Sequence, residues 1–558
     1  MRGQIWNLLG SLILLGGCIL STPGSAAAEW TRFGAAEKLE SETLGGNPGG
    51  AAVPDGPNGE ERLLLPHYYP SLTYQLRSGG DDSLQVSLLG DFNAVRFPFA
   101  FHPGDYLGTG RIEVFAQRAE SNDRFLLMDS TSDEFERLPI SPPIETFQWG
   151  FKVRLFPSDR DQIMAVVPPN SNPLIQPTFT QLRVFDFRLE DQVVRPRFIT
   201  SIELDTLTVA TADIERDGIT EVVLVNRQGS VLIGRFNVSN GRLDLQLIHT
   251  ASTLDRVTGQ LVAADLTGNG VQEILAGSTA LILNRDSGNW EALPIVDSPL
   301  AAAPIRQSQP CTVEINGDNR QEIIVQTDGI STLLEWGSVE GGQLRLNPVL
   351  TMETGRLNSF SFFSPRYVST VDFDGDGVRD IVYGRPRSTV LSDIHVRRQF
   401  PGFEVQNRAL VLEAGDKSTA PLPGDRAQVR FALRSTTGNA GQVDARVRVE
   451  SSAGDQLGQW RPVSWSAQGE TETAVDFAMP MQATPDETQR IILELRTNRG
   501  RVIPVQQINR RYPTGILQAS GRALAWERIL GRQNYFGGLF GTADVNADGV
   551  IDAADLAY

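Results

Sequence analysis

Lysine, histidine and cysteine are all scarce in this chain of 558 residues. The cysteines are Cys18 and Cys311. If a leader carrying Cys18 is removed, the mature chain can form no internal disulfide, even in an oxidising compartment. The four histidines, His67, His102, His249 and His395, lie far apart, which excludes a local histidine-rich zinc motif. Only Lys38, Lys152 and Lys417 are lysines, so arginine supplies nearly all of the 50 cations, and the 67 acids outweigh them to leave a net charge of −17. A surface of that sign opposes binding to nucleic acid or an anionic bilayer. With 40% apolar and 21% charged residues the composition is that of a globular protein, neither disordered nor collagen-like. Its length implies roughly two to four domains.

The N-terminus reads as an export signal. Arg2 precedes an apolar run from Leu8 to Leu20 that is too short for a transmembrane span, and small residues at Ala26 and Ala28 fit cleavage after Ala28. A second reading is open: LGGC ending at Cys18 resembles a lipobox, which would anchor the chain through Cys18. Either way the expected destination is outside a bacterial cell, secreted or at its surface, with no transmembrane span.

Most of the remaining chain is a repeat. TADIERDGITEVVLV from Thr211, AADLTGNGVQEILAG from Ala263, TVEINGDNRQEIIVQ from Thr312 and TVDFDGDGVRDIVYG from Thr370 align without gaps. Each has an acid at its third place, Gly or Asn five places after that acid and a second acid eight places after it, and then an apolar, β-rich run. A fifth copy carries Asp105, Gly110 and Glu113 at the same offsets. Two weaker copies place Asp161 and Glu61 in the slot of Glu221. The closing acids, at 61, 113, 161, 221, 273, 322 and 380, recur every 48 to 60 residues. Between them lie short β-rich runs separated by Gly and Asn turns such as Asn240-Gly241, with no sustained helical period. Four strands per unit, seven times over, predicts a seven-bladed β-propeller across residues 30–400.

The acidic loops have a chemistry of their own. Asp372, Asp374, Asp376 and Asp380 stand at positions 1, 3, 5 and 9 of one tight loop, with the Val378 carbonyl at 7. Hard oxygens at alternate positions suit Ca2+, and carboxylates packed this closely repel without a cation. The same positions hold Asp213, Glu215, Asp217, Ile219 and Glu221 in a second loop, and Asp265, Thr267, Asn269, Val271 and Glu273 in a third. A fourth has Glu314, Asn316, Asp318 and Glu322, with Asn319 where the others have glycine. Leu107 and Thr109 leave the Asp105 loop without a ligand set. The competing reading is a polar turn, with Asp, Asn and Gly serving turn geometry alone.

These loops resemble the FG-GAP or VCBS repeats of integrin alpha-like propellers and of exported bacterial proteins. The resemblance covers about two-thirds of the chain and is most specific from Asp213 to Asp380. It implies a seven-bladed propeller holding calcium in such loops and serving adhesion or ligand binding.

Beyond the repeat, residues 401–512 alternate apolar and polar positions, with Val429, Phe431 and Leu433 on one face. The pattern predicts an immunoglobulin-like β-sandwich. Trp460 and Trp465 fit core packing better than a carbohydrate-stacking platform. Residues 513–558 read as a helix followed by an EF-hand-like loop with Asp544, Asn546, Asp548, the Val550 carbonyl, Asp552 and Asp555 as calcium ligands. With Asp where an EF-hand has a bidentate Glu, the loop looks like half of a dockerin, which implies a cohesin-like partner if the half-module is functional.

The expected function is an exported calcium-binding adhesion or ligand-binding protein without catalysis of its own, whose partner is an extracellular protein or polysaccharide. The alternatives are a polysaccharide-degrading lyase or hydrolase and a structural cell-surface component. No spacing singles out a catalytic residue, although His67 and His102 are conceivable parts of a lyase.

Overall fold

In a computed structural model of the protein, the described residues are 30–511 less a set of intervening segments, the longer ones being 40–50, 94–102, 168–179, 251–260, 301–310, 355–367, 415–425 and 479–487. The leader, with Cys18, and the C-terminal segment, with its helix and the Asp544 loop, lie outside the described residues. Every named element is a β-strand. Among the described residues no helix is long and apolar enough to cross a membrane.

Seven antiparallel sheets follow one another along the chain: residues 51–90, 92–139, 149–204, 206–249, 261–294, 311–353 and 368–397. Six have four strands and the second has five. The seventh takes its outermost strand from the opposite end of the chain, where Glu37 and Lys38 pair with Val396 and His395.

The second strand of each sheet explains the continuous apolar runs. In Glu221–Asn226, Val222 and Leu224 pack toward the third sheet with Val184 and Leu182, whereas Val223 and Val225 pack toward the fifth with Leu261 and Ile274. Period-2 alternation therefore serves two cores instead of one core and solvent, and both sets must be apolar. Burying each such side chain contributes ~1.5–3 kcal/mol. The same division recurs at Ile274 and Leu275, at Ile323 and Ile324, and at Ile381 and Val382. The outer strand Arg242–His249 is mostly exposed.

Apolar clusters join the second sheet to the third, the third to the fourth and onward to the seventh. The seventh packs in turn on the first, with Val371, Val382, Ile394 and Val396 against Leu63, Leu65 and Leu76.

Two further sheets form the second unit. One comprises Phe403–Ala414, Arg426–Ser435 and Glu470–Ala478, and the other Gly441–Glu450, Thr488–Arg496 and Val502–Arg511, with two short edge strands. They share one core in which Val429, Phe431 and Leu433 face Val447, Leu493 and Leu495. Trp465 is part of that core and donates its indole N–H to the Asn439 carbonyl at 3.1 Å. Trp460 is half-buried and its ring contacts the guanidinium groups of Arg446 and Arg496, at 4.2 and 4.5 Å. Trp30 and Thr31 pair with Gln406 and Val405, so the described chain begins in this second unit before it enters the seventh sheet.

Candidate cation loops

Each acidic loop is the turn between two successive strands, the first two of its sheet or, for Asp105, the short strand Pro103–Gly104 and the one after it. Its closing acid opens the second strand, opposite the residue just before position 1: Gly104 with Glu113, Ala212 with Glu221, Ala264 with Glu273, Val313 with Glu322 and Val371 with Asp380. In the third sheet that slot belongs to Gln162, paired with Val153, and not to Asp161. Gln162 Oε1 accepts the Leu155 N–H at 2.9 Å, seven residues back, as the glutamates do elsewhere. A one-residue shift in a weak copy hid this from the sequence pattern.

The acids first satisfy their own loops. Position 1 caps the turn: Asp105 accepts the N–H groups of Thr109 and Gly110, Asp213 that of Gly218, Asp265 those of Asn269 and Gly270, and Asp372 those of Asp376 and Gly377. Glu314 does the same for Gly317 and Asp318. Asn319, at φ 65°, adopts the left-handed backbone that glycine supplies in the other loops. The closing glutamate folds back on position 2, with Oε2 of Glu113, Glu221, Glu273 and Glu322 accepting from Tyr106, Ile214, Leu266 and Ile315 at 2.7–3.0 Å. Its other oxygen meets the side chain at position 3 in two loops, Thr267 and Asn316, and the side chain at position 5, Thr109, in the Asp105 loop.

Burial sets the protonation of these glutamates. It pushes Glu273 up to about 7, against the hydrogen bonds from Thr267 and Leu266, and Glu322 up to about 8, where Asp318 and Glu314 add to the effect. Glu113 and Glu221 are raised for the same primary reason. In the Asp372 loop burial, reinforced by Asp374, lifts Asp372 to about 6 and Asp376 to about 7.

Loops also hold their neighbours. Asp161 N–H donates to the Asp105 carbonyl at 2.8 Å and Thr220 N–H to that of Arg154 at 2.7 Å. Asp213 N–H donates to Gln272 at 2.9 Å and Asp265 N–H to Gln321 at 2.8 Å. Arg379 N–H donates to the Ile315 carbonyl at 2.8 Å, and Glu61 N–H to that of Asp372 at 2.7 Å.

Among the described residues, one group of three carboxylates converges: Asp372, Asp374 and Asp376 present oxygens within 4.8 Å of one another. The expected fourth carboxylate does not join them. Asp380 accepts the Gln399 N–H at 3.0 Å with one oxygen and pairs with Arg501 Nη2 through the other. Arg501 Nη1 lies 3.0 Å from Asp374 Oδ2 and 3.9 Å from Asp376 Oδ2. Burial favours the neutral form of Arg501, but Asp380, Asp374 and Asp376 outweigh it and raise its pKa. A calcium ion requires about six to eight oxygens. Asp380 faces Gln399 and Arg501, and a guanidinium stands beside Asp374 among the oxygens expected to hold calcium.

Arginine also enters two other loops. Arg235 reaches Glu215 at 2.5 Å and Glu221 at 3.5 Å, and Arg216 reaches Asp265 of the next loop at 2.7 Å. The Asp213 loop differs in one respect that suits a cation: Asp213 Oδ1 is buried with no hydrogen-bond partner. Sequence reasoning missed all three arginines; the excess of arginine over lysine was the available signal. His102 lies outside the described residues, and His67 ends the strand Glu61–His67.

No protein-family model matches the chain, and no curated protein matches it. Among solved structures, a fungal alcohol oxidase of the AA5 family in complex with copper aligns over 87% of this chain and 100% of its own, at 10% identity and a TM-score of 0.38. The extracellular domain of BT4673 from B. thetaiotaomicron aligns over 86% of this chain and 60% of its own, at 9% identity and a TM-score of 0.38. Likeness at that level carries no functional argument.

Proposed function

We propose that this chain is an exported, non-catalytic adhesion or ligand-binding protein, its seven sheets closed as a β-propeller of the FG-GAP/VCBS kind and its second unit an immunoglobulin-like sandwich. The observation that carries the architecture is the joining of the seventh sheet to the first, by the Glu61–Asp372 backbone bond and the shared core of Val382 and Leu63. A strand from residues 37–38 completing the seventh sheet supports the same closure, which leaves few free edges.

Binding without catalysis is supported by how the loop acids are used. Their oxygens take N–H groups of their own turns, or arginines, so these acids serve structure and not an acid–base couple. The ligand in this reading is an extracellular polysaccharide or protein. Calcium in this reading is a structural ion of the Asp213 loop, taken up at the unpartnered Asp213 Oδ1 with Asp217 and the Ile219 carbonyl, and Arg235 must leave Glu215 for that carboxylate to join. The tail loop at Asp544 is a second calcium element, with a cohesin-like partner as its counterpart.

The test is a panel of immobilised polysaccharides and matrix proteins, scored for retention and for new reducing or unsaturated ends. Retention without turnover is expected. Turnover that a pocket substitution abolishes would replace this reading with a lyase or hydrolase.

A further inference from the structure

We propose that the resident cation of the Asp372 loop is Arg501, and that the loop is a socket locking the second unit onto the seventh sheet, in place of a calcium site. The inference is independent of what the protein binds.

The arginine arrives on a hairpin built to deliver it. Arg496 pairs with Val502, and between them Thr497–Arg501 form a tight turn with Thr497 N–H on the Arg501 carbonyl at 2.8 Å and Gly500 at φ 89°. Arg501 is 2% exposed although it sits beside a turn, because its guanidinium enters the loop of another sheet. There Nη2 pairs with Asp380, which is 0% exposed, and Nη1 with Asp374. Arg499 adds a bond from Nη1 to the Asp374 carbonyl at 2.8 Å. A bidentate guanidinium held by two carboxylates is a directional lock, not a diffuse surface attraction.

The loop is altered to receive it. Four other closing acids, Glu113, Glu221, Glu273 and Glu322, are long enough to fold back onto position 2. Here the closing acid is Asp380, shorter by one methylene, and its oxygens go to Gln399 N–H and Arg501. Neighbouring contacts fit a fixed joint. Ala35 N–H donates to the Pro504 carbonyl at 2.7 Å, and Arg32 bridges Glu335 of the sixth sheet and Glu404 of the second unit at 2.9 Å each.

The experiment uses the full chain, stripped of metal, in four forms: wild type, Arg501→Met, Arg501→Lys and Asp374→Asn/Asp376→Asn. Calcium calorimetry, small-angle X-ray scattering and hydrogen exchange of residues 497–501 are read on each. In the wild type the hairpin is expected to be protected without calcium, and protection should not change when calcium is added. Arg501→Met should exchange at the hairpin on the order of 100-fold faster and enlarge the radius of gyration, with Arg501→Lys in between. The proposal is overturned if the wild-type hairpin gains protection from calcium and the double asparagine variant loses calcium heat that Arg501→Met retains. It is equally overturned if Arg501→Met leaves hairpin exchange and dimensions unchanged. Should Arg501→Met not fold, the wild-type exchange pattern with and without calcium decides by itself.

Discussion

Arg379 and Glu61 meet across 318 residues of sequence: Nη2 of Arg379 donates to Oε1 of Glu61 at 2.6 Å, and Oε2 of Glu61 accepts the Asp372 N–H at 2.9 Å. One carboxylate thus ties the seventh sheet to the first through both a charged side chain and the backbone. The ion pair is partly exposed and contributes little alone, whereas the Asp372 N–H would lose its acceptor if Glu61 were truncated. Glu61→Ala should cost ~2 kcal/mol in chemical denaturation, and Glu61→Gln, which still offers an acceptor, about half as much.

The raised glutamates give stability a pH dependence. Glu322, pushed up to about 8, keeps its proton in the folded chain while the unfolded chain releases it near the ordinary glutamate value. The folded state therefore holds more protons between about pH 5 and 8, and stability falls as pH rises through that window. In calcium-free buffer, Glu322→Gln should flatten the decline and be more stable than wild type at pH 8, by on the order of 1–3 kcal/mol. Glutamine preserves an acceptor for the Ile315 N–H, which bonds the carboxylate at 3.0 Å. Melting curves from pH 5 to 8.5 check both the slope and its loss.

Arg216 occupies a left-handed position, φ 56°, where the corresponding residues Gly108, Gly268, Gly317 and Gly375 are glycines. Its side chain bonds Asp265, whose oxygens already cap Asn269 and Gly270. Both Arg216→Gly and Arg216→Ala lose that pair alike, so backbone strain decides the difference between them. Arg216→Gly should be more stable than Arg216→Ala by ~1 kcal/mol, measured by urea denaturation.

Gly34 lies where the chain passes between the two units, and a Cβ there would stand 2.6 Å from the Pro504 carbonyl oxygen and 2.7 Å from Ile503 Cγ2. Neither neighbour yields easily, since one is backbone and the other belongs to the buried core. Gly34→Ala should destabilise by ~1–3 kcal/mol and split a calorimetric melt into two transitions as the units separate. A single unshifted transition would show that the joint tolerates the displacement.

The sequence by itself determined the repeat. Acids and glycines at fixed offsets make the turn, and β-rich runs between them make strands, because turn chemistry and strand alternation act over a few residues. The fully apolar runs, such as Val222 to Val225, were legible as strands, whereas their burial on both faces came from the packing of adjacent sheets. The inward face of Val429, Phe431 and Leu433 in the second unit was equally legible.

Tertiary structure decided which charge answers which acid. Arg501 is 121 positions from Asp380 in sequence, and no local pattern relates them; only the packing of the second unit against the seventh sheet brings them together. The same holds for Glu37–Lys38 completing the seventh sheet and for Trp30–Thr31 joining the second unit. Spacing along a chain selects residues able to hold a cation. Whether a guanidinium already stands beside their oxygens depends on distances that only the folded chain sets.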